Sequence, residues 1–175
     1  MPKGKETDDA ESRRQSIKSL IQVVETMGIE NLSKEMRVKV LETMYKGFDD
    51  YQVDRRGDVG SWVRQESMIC LHKYIHLIVC SDKQIQADIG ADKPQFYERF
   101  VAENLQQLNE KIDRVRESAG RSLQNFFKFT VPLIDIDFSK KSELVALFIS
   151  EEEEDVQNDT IIADDGIAYL PWRNA

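Results

Sequence analysis

The sequence is poor in the residues that break chains into loops and build compact chemical sites. Of its 175 residues, 8 are glycine, 4 proline, 2 cysteine and 2 histidine. So few glycines leave little from which to make a phosphate-cradling loop, and neither a glycine-rich loop with its lysine nor a Gly-x-Ser-x-Gly elbow occurs. Cys70 and Cys80 fall in one expected helix, ~15 Å apart along its axis, too far for a disulfide. Neither lies beside a basic cluster or at an expected helix N-terminus, where a thiolate would be favoured. No long apolar run is present: Ile69 to Cys80 is interrupted by His72, Lys73 and His76 and falls far short of the ~20 residues a bilayer span needs. The start, Met1 to Asp9, lacks the apolar core of a secretory signal, which predicts an intracellular protein. A surplus of positive charge is missing too. Residues 1–142 hold 23 basic and 23 acidic side chains, and residues 143–175 hold Arg173 against nine acidic ones, so the net charge of -8 belongs to the end of the chain. A nucleic-acid module needs a basic surplus on one surface, and none is found.

What is present is helical patterning around one core. With 41% hydrophobic residues, a chain of this length buries roughly two-thirds of its unfolded surface. After a leader over 1–12, Ile17, Leu20, Ile21, Val24 and Met27 form an amphipathic stripe, with Ser12 and Gln15 as an expected capping box and Gly28 as the stop. A second helix is expected after Ser33, carrying Val40, Leu41, Met44, Tyr45 and Phe48. A polar loop follows from Asp49 to Asp58. From Val59 to Cys80 apolar residues occupy several faces, as expected for a central helix packed on both sides. Ser81 to Lys93 reads as a polar connection, and Pro94 as the first turn of a helix with Asp92 as its cap. A fifth helix is expected over 110–129, ended by Val131-Pro132. Val131 to Phe138 reads as an extended connector, and Leu144 to Ile149 as a short last helix. The organisation predicted is a helical domain over 13–149, with an acidic flexible segment over 150–175. Trp172 is read there as the first anchor of a truncated next element.

The fold class is therefore all-α, about six helices. Asp58, Val63-Arg64, Ser67 and Leu71 resemble Asp113, Val115-Arg116, Ala119 and Leu123, a pattern similar to the second helix of HEAT repeats. Arg64 and Arg116 are 52 positions apart, against ~40–47 in the usual repeat, so an irregular HEAT-like solenoid is implied. Trp62, Arg64, Asp113 and Arg116 are its structural residues.

Two constellations bear on chemistry. His72, His76 and Cys80 lie at i, i+4 and i+8, a spacing with which helices hold zinc, but no glutamate follows His72 to make the protease motif. Half-buried core residues are the simpler reading, and no metal or cofactor is expected. Arg55-Arg56, flanked by Asp50, Asp54 and Asp58, offer adjacent guanidinium groups to a partner's carboxylates or to a phosphate. The alternative is a loop held by its own Asp–Arg pairs, with Asp58 capping the next helix. Asp50, Tyr51, Asp54, Arg55, Arg56 and Asp58 form the candidate partner-binding loop.

A family resemblance runs through these residues. Gly47-Phe48-Asp49-Asp50-Tyr51-Gln52-Val53-Asp54-Arg55-Arg56-Gly57-Asp58-Val59-Gly60-Ser61-Trp62-Val63-Arg64 resembles the signature of tubulin-folding cofactor D. Glu110-Lys111-Ile112-Asp113-Arg114-Val115-Arg116 is similar to a second stretch of that family, and Glu143-Leu144 with Leu147-Phe148 to a third. Order and spacing agree from about residue 35 to 150. The resemblance implies a chaperone of HEAT-like, armadillo-type fold with no catalytic chemistry of its own, in the cytoplasm and on the microtubule cytoskeleton. It further implies partners: β-tubulin, the tubulin-folding cofactors C and E and an ARF-like small GTPase, in assembly and disassembly of the α/β-tubulin heterodimer and in support of GTPase activation on tubulin. Because the resemblance covers the C-terminal helical region of such proteins, a fragment, a truncated gene product or a diverged stand-alone version is expected. The alternatives are an unrelated HEAT-like scaffold or adaptor and, on the histidines alone, a zinc-dependent enzyme. The Gln65-Glu66-Ser67 stretch departs from the alanine-rich continuation of the family.

Overall fold

The computed structural model describes residues 9–149 and the strand backbone of 161–162 and 168–169. The first apolar stripe forms α1 (Ala10–Met27), which buries Ile17, Ile21 and Val24. It starts earlier than the Ser12/Gln15 box implies. Ala10 is itself buried, and Asp9 caps the helix by accepting from the Glu11 N–H. Gly28, at φ 81°, closes it, a left-handed conformation that glycine tolerates. After a 3-10 turn at Ile29–Asn31, Ser33 caps α2 (Lys34–Lys46) by accepting from the Met36 N–H at 3.3 Å.

A second 3-10 turn, Gly47–Asp49, leads into a short antiparallel hairpin, β1 (Val53–Asp54) and β2 (Gly57–Asp58), with Val53 opposite Asp58 and Asp54 opposite Gly57. The sequence shows this stretch as plain loop because two-residue strands are too short for any alternation to register. Gly57 takes the left-handed residue of the reversal, at φ 101°, which spares Arg55 and Arg56 that strain.

α3 (Gly60–Cys80) is the central helix, packed by α1, α2 and α6. Val63, Met68, Leu71, Tyr74, Ile75 and Ile78 are buried around its circumference, each contributing on the order of 1.5–3 kcal/mol. The stretch expected to be a polar connection contains α4 (Lys83–Asp88), capped by Asp82. With six residues and Ile85 as its buried apolar side chain, it carries no full turn of pattern to read. α5 (Pro94–Leu108) has Pro94 in its first turn as expected, but its N-cap is Lys93 with no side-chain bond; Asp92 does not cap it. α6 (Asp113–Asn125) runs on as a π-helical turn, Phe126–Thr130, before a 3-10 turn at Val131–Leu133. The wide turn brings Phe126 against Phe100 (4.7 Å between ring centres), Phe127 and Phe138, an aromatic cluster at the α5–α6 seam. α7 (Lys141–Phe148) rests Phe148 on Phe127 at 5.4 Å. A second small hairpin pairs β3 (Ile161–Ile162) with β4 (Ala168–Tyr169). The architecture is all-α, as the periodicity predicts. Trp172 and the acidic run at 151–155 lie outside the described residues.

The contacts set a common polarity. α1, α3 and α6 all begin near the first hairpin, and α2 and α5 end there: Arg13 of α1 reaches Asp50, Asp58 caps α3, Tyr51 reaches Glu110 before α6, and Gln107 near the end of α5 donates to the Phe48 carbonyl.

Candidate partner-binding site

The loop at 49–58 is held from below by one fully buried cation. Arg64, on the second turn of α3, has no solvent exposure. Its Nη1 donates to the Asp50 carbonyl at 2.6 Å, its Nη2 to Asp58 Oδ2 at 2.9 Å, and its guanidinium lies 4.2 Å from the centre of the Tyr51 ring. Asp58 meanwhile accepts from the Ser61 N–H at 2.9 Å, so one carboxylate both caps α3 and neutralises Arg64. Gly60 permits the loop to lie this close: a Cβ there would sit 2.2 Å from the Asp50 carbonyl oxygen.

Lateral ties complete the frame. Arg13 forks onto Asp50, with its Nε at 2.8 Å and its Nη2 at 3.2 Å, and also donates to Gln52. Tyr51 Oη donates to Glu110 Oε1 at 2.7 Å, joining the Gly47–Arg64 stretch to the Glu110–Arg116 stretch. Burial, and then the hydrogen bond to Glu110, raises the Tyr51 phenol above its ordinary value. Arg116 repeats the theme at the start of α6 on a smaller scale, donating to the carbonyls of Glu110 and Lys111 and to Asp113. Unlike Arg64 it is partly exposed.

The two adjacent arginines do different things. Arg56 is used internally: it donates to Asp54 at 2.7 Å, pairs with Asp9 at 3.6 Å and lies 5.0 Å over the Trp62 ring, which is half-buried. Hydrogen bonds from the Arg56 side chain and backbone hold the Asp54 carboxyl below its ordinary range. Arg55 sits at the exposed turn with no hydrogen bond or ion pair among the described residues. Tyr51 and Val53 beside it are 47% and 69% exposed, large values for an aromatic and a branched aliphatic side chain. Sequence reasoning missed Arg13 and Gly60 as parts of this frame. Arg13 lies in the polar part of its helix, and nothing in sequence spacing ties it to Asp50, 37 positions away.

The histidine ladder runs from the core to the surface: His72 is buried, His76 half-buried, and Cys80, expected in the core, is exposed at the end of α3. His72 Nε2 lies 3.5 Å from Thr130 Oγ1, which lies 3.1 Å from His76 Nδ1, while His76 Nε2 is 3.7 Å from Cys80 Sγ. Thr130, supplied by the π turn, thus stands between the two rings. Burial first, then the neighbouring His76 and Lys73, pushes the His72 imidazole down to about 3, which keeps it neutral. Burial likewise lowers His76. Among the described residues no group of three or more His, Cys, Asp or Glu side chains is arranged to hold a metal ion. A cleft of about 420 Å³ runs between α1 and α6 over α3, with Arg14 and Lys18 on one wall, Arg121 on the other and Cys70 on its floor. Burial raises the Cys70 thiol well above its ordinary value, which disfavours the thiolate form. No described helix is long and apolar enough to cross a membrane.

Comparison with known proteins agrees with the family resemblance. The family described as tubulin folding cofactor D C terminal matches residues 98–165. Tubulin-specific chaperone D of Dictyostelium discoideum is 22% identical over 126 residues, covering 66% of this chain and 8% of that protein. The chain therefore spans less than a tenth of the length of this curated relative. No solved structure matches it. Over residues 98–165, which include the Glu110–Arg116 helix start, this all-α chain is thus similar to the C-terminal region of tubulin folding cofactor D.

Proposed function

We propose that the chain is a binding module of the tubulin-folding machinery, which captures β-tubulin or a fellow cofactor and contributes geometry rather than chemistry. The hairpin at 53–58 is its contact surface. What supports this reading above all is that the stretch carrying the family resemblance is pinned at Asp50 and Asp58 by a buried arginine and at Tyr51 by Glu110, yet leaves Tyr51, Val53 and Arg55 exposed. A pre-ordered loop loses little entropy on binding, and exposed tyrosine and arginine are the residue types that dominate interface energies. The handling of the α/β-tubulin heterodimer, the contacts with cofactors C and E and with an ARF-like small GTPase, the support of GTPase activation and a place in the cytoplasm or on microtubules belong to the same proposal. They rest on the family resemblance.

The test is capture of purified α/β-tubulin and of cofactors C and E by the immobilised full chain, with Arg55→Ala/Arg56→Ala beside it. Retention of at least one of these partners, weakened fivefold or more in the double variant with the thermal midpoint moved by no more than a few degrees, supports the reading. No retention, or retention indifferent to the loop, overturns it.

A further inference from the structure

Charge pairing around the hairpin leaves an excess of cations. All but one carboxylate of the frame are engaged: Asp50 by Arg13, Asp54 by Arg56, Asp58 by Arg64 and the Ser61 N–H, Glu110 by Tyr51, and Asp113 by Arg116, while Asp49, on the turn before the hairpin, faces the like charge of Glu103 on α5. Asp9, at the start of α1, is taken up by Arg56 and by the first turn of its helix. Three cations are left over. Arg55 at the hairpin turn and Lys111 and Arg114 at the α5–α6 corner are all exposed, and none has a hydrogen bond or ion pair from its side chain among the described residues. The Tyr51–Glu110 bond brings the two groups together: Lys111 adjoins Glu110, and Arg55 is four residues from Tyr51, no more than ~14 Å of extended chain. Between them lie the exposed faces of Tyr51 and Val53.

We infer that the hairpin and the α5–α6 corner form one docking surface, and that its occupant is an acidic segment of a partner protein, with carboxylates for Arg55, Lys111 and Arg114 and an apolar side chain for Tyr51 and Val53. This rests on the binding-module reading and adds to it the corner and the chemistry of the partner. A carboxylate meeting these three cations displaces no internal partner, whereas a basic segment would find Asp49 alone and would have to break an existing pair for any further acceptor in the frame. Guanidinium groups also suit paired carboxylate oxygens. A contact of this kind speeds encounter and weakens with salt.

The probe is a fluorescein-labelled peptide of eight glutamates and one leucine, titrated with the full chain at 50 and 200 mM salt. Its glutamine counterpart serves as the uncharged control. Saturable binding of the glutamate peptide is expected, weakened at least tenfold by Lys111→Glu/Arg114→Glu and at least fivefold by Arg55→Glu. Lys128→Glu/Lys140→Glu, in the region where α7 meets the π turn, should stay within twofold. Equal losses in both sets, or no loss at the corner, overturns the inference, as does equal binding of the glutamine peptide. A gain above tenfold on Glu151→Gln through Glu154→Gln together would make the chain's own acidic run the occupant, and overturns it too. The two readings separate in the outcome: tubulin or cofactor capture with no corner dependence of the glutamate peptide sinks only this inference, and corner-dependent peptide binding without capture sinks only the functional proposal. Circular dichroism melts confirm that each variant is folded.

Discussion

Replacing Arg64 by methionine isolates what the buried guanidinium does, because the stem is kept and only the charged head is lost. Three donor contacts go with it: the Asp50 carbonyl at 2.6 Å, Asp58 Oδ2 at 2.9 Å and a marginal one to Asp58 Oδ1 at 3.4 Å. Bonds that involve a charged group contribute about 1.5–3 kcal/mol each, and two are well formed. Against this stands relief of desolvation, since Arg64 Nε is buried with no partner. Asp58 is a quarter exposed and keeps the Ser61 N–H, so it is not wholly orphaned. The expected net loss is about 3 kcal/mol, at the lower end of the range for breaking a buried pair. Urea unfolding followed by circular dichroism measures it. A cycle with Asp58→Asn should give a coupling of about 2 kcal/mol. Hydrogen exchange supplies the local readout: amides of 52–58 should lose protection while those of α5 keep theirs. A loss under about 1 kcal/mol, or additive effects in the cycle, would refute the claim that Arg64 organises the loop.

Other consequences follow from the same geometry. Gly60→Ala drives a methyl group into the Asp50 carbonyl, and overpacking of this kind costs about 1–3 kcal/mol; chemical denaturation measures it, and a neutral result would mean the loop can step back freely. Tyr51→Phe removes the bond to Glu110 at 2.7 Å from a half-exposed site, so it should cost about 0.5–1 kcal/mol while raising the exchange rate of hairpin amides; unchanged exchange would deny the tie to the corner. His72 binds a proton in the unfolded chain near its ordinary 6.5 and in the folded chain only near 3. Its contribution is therefore complete above the unfolded value and is lost as the pH falls toward 3, about 2 kcal/mol of it between pH 7 and 5. His72→Gln should flatten that part of the urea-midpoint slope, and parallel slopes in the two proteins would show that the ring is not buried neutral.

Long helices were legible in the sequence because their patterns repeat over several turns: α1, α2, α3, α5 and α6 all follow apolar spacings visible in the residues. What escaped was short or geometric. α4 contributes one buried apolar side chain, Ile85, and no periodicity can be read from one point. The π turn at Phe126–Thr130 changes where Phe126 and Phe127 face without changing their residue types, so spacing alone gives an ordinary helix there. The start of α1 was misplaced because Ser12 and Gln15 have the right spacing for a capping box, whereas burial of Ala10 and the pull of Arg13 on Asp50 are tertiary effects. At the candidate site the cluster of Asp and Arg was visible as a list of charges. Which charges cancel was not, because Arg55 and Arg56 are neighbours in sequence with indistinguishable chemistry.

The division between those two arginines follows from the hairpin reversal. Gly57 takes the left-handed position, so the chain turns between Asp54 and Gly57 with Arg55 and Arg56 at its apex. Only Arg56 falls on the side where Asp54, Asp9 and Trp62 await it. The same contacts that fix Arg56 commit the acidic side chains around it, and this is why the unmet charge of the surface resides in Arg55 and, through the Tyr51–Glu110 bond, beside Lys111 and Arg114. Arg64 and Arg116 show the matching contrast at the starts of their helices. Both tie an aspartate near the start of their own helix and a preceding carbonyl, but the aspartate of Arg64 caps its helix and the carbonyl belongs to a loop 14 positions back. Arg116 secures only the corner beside it. A hairpin precedes α3 and none precedes α6, and the longer reach of Arg64 to the Asp50 carbonyl is what makes it a support for an exposed surface.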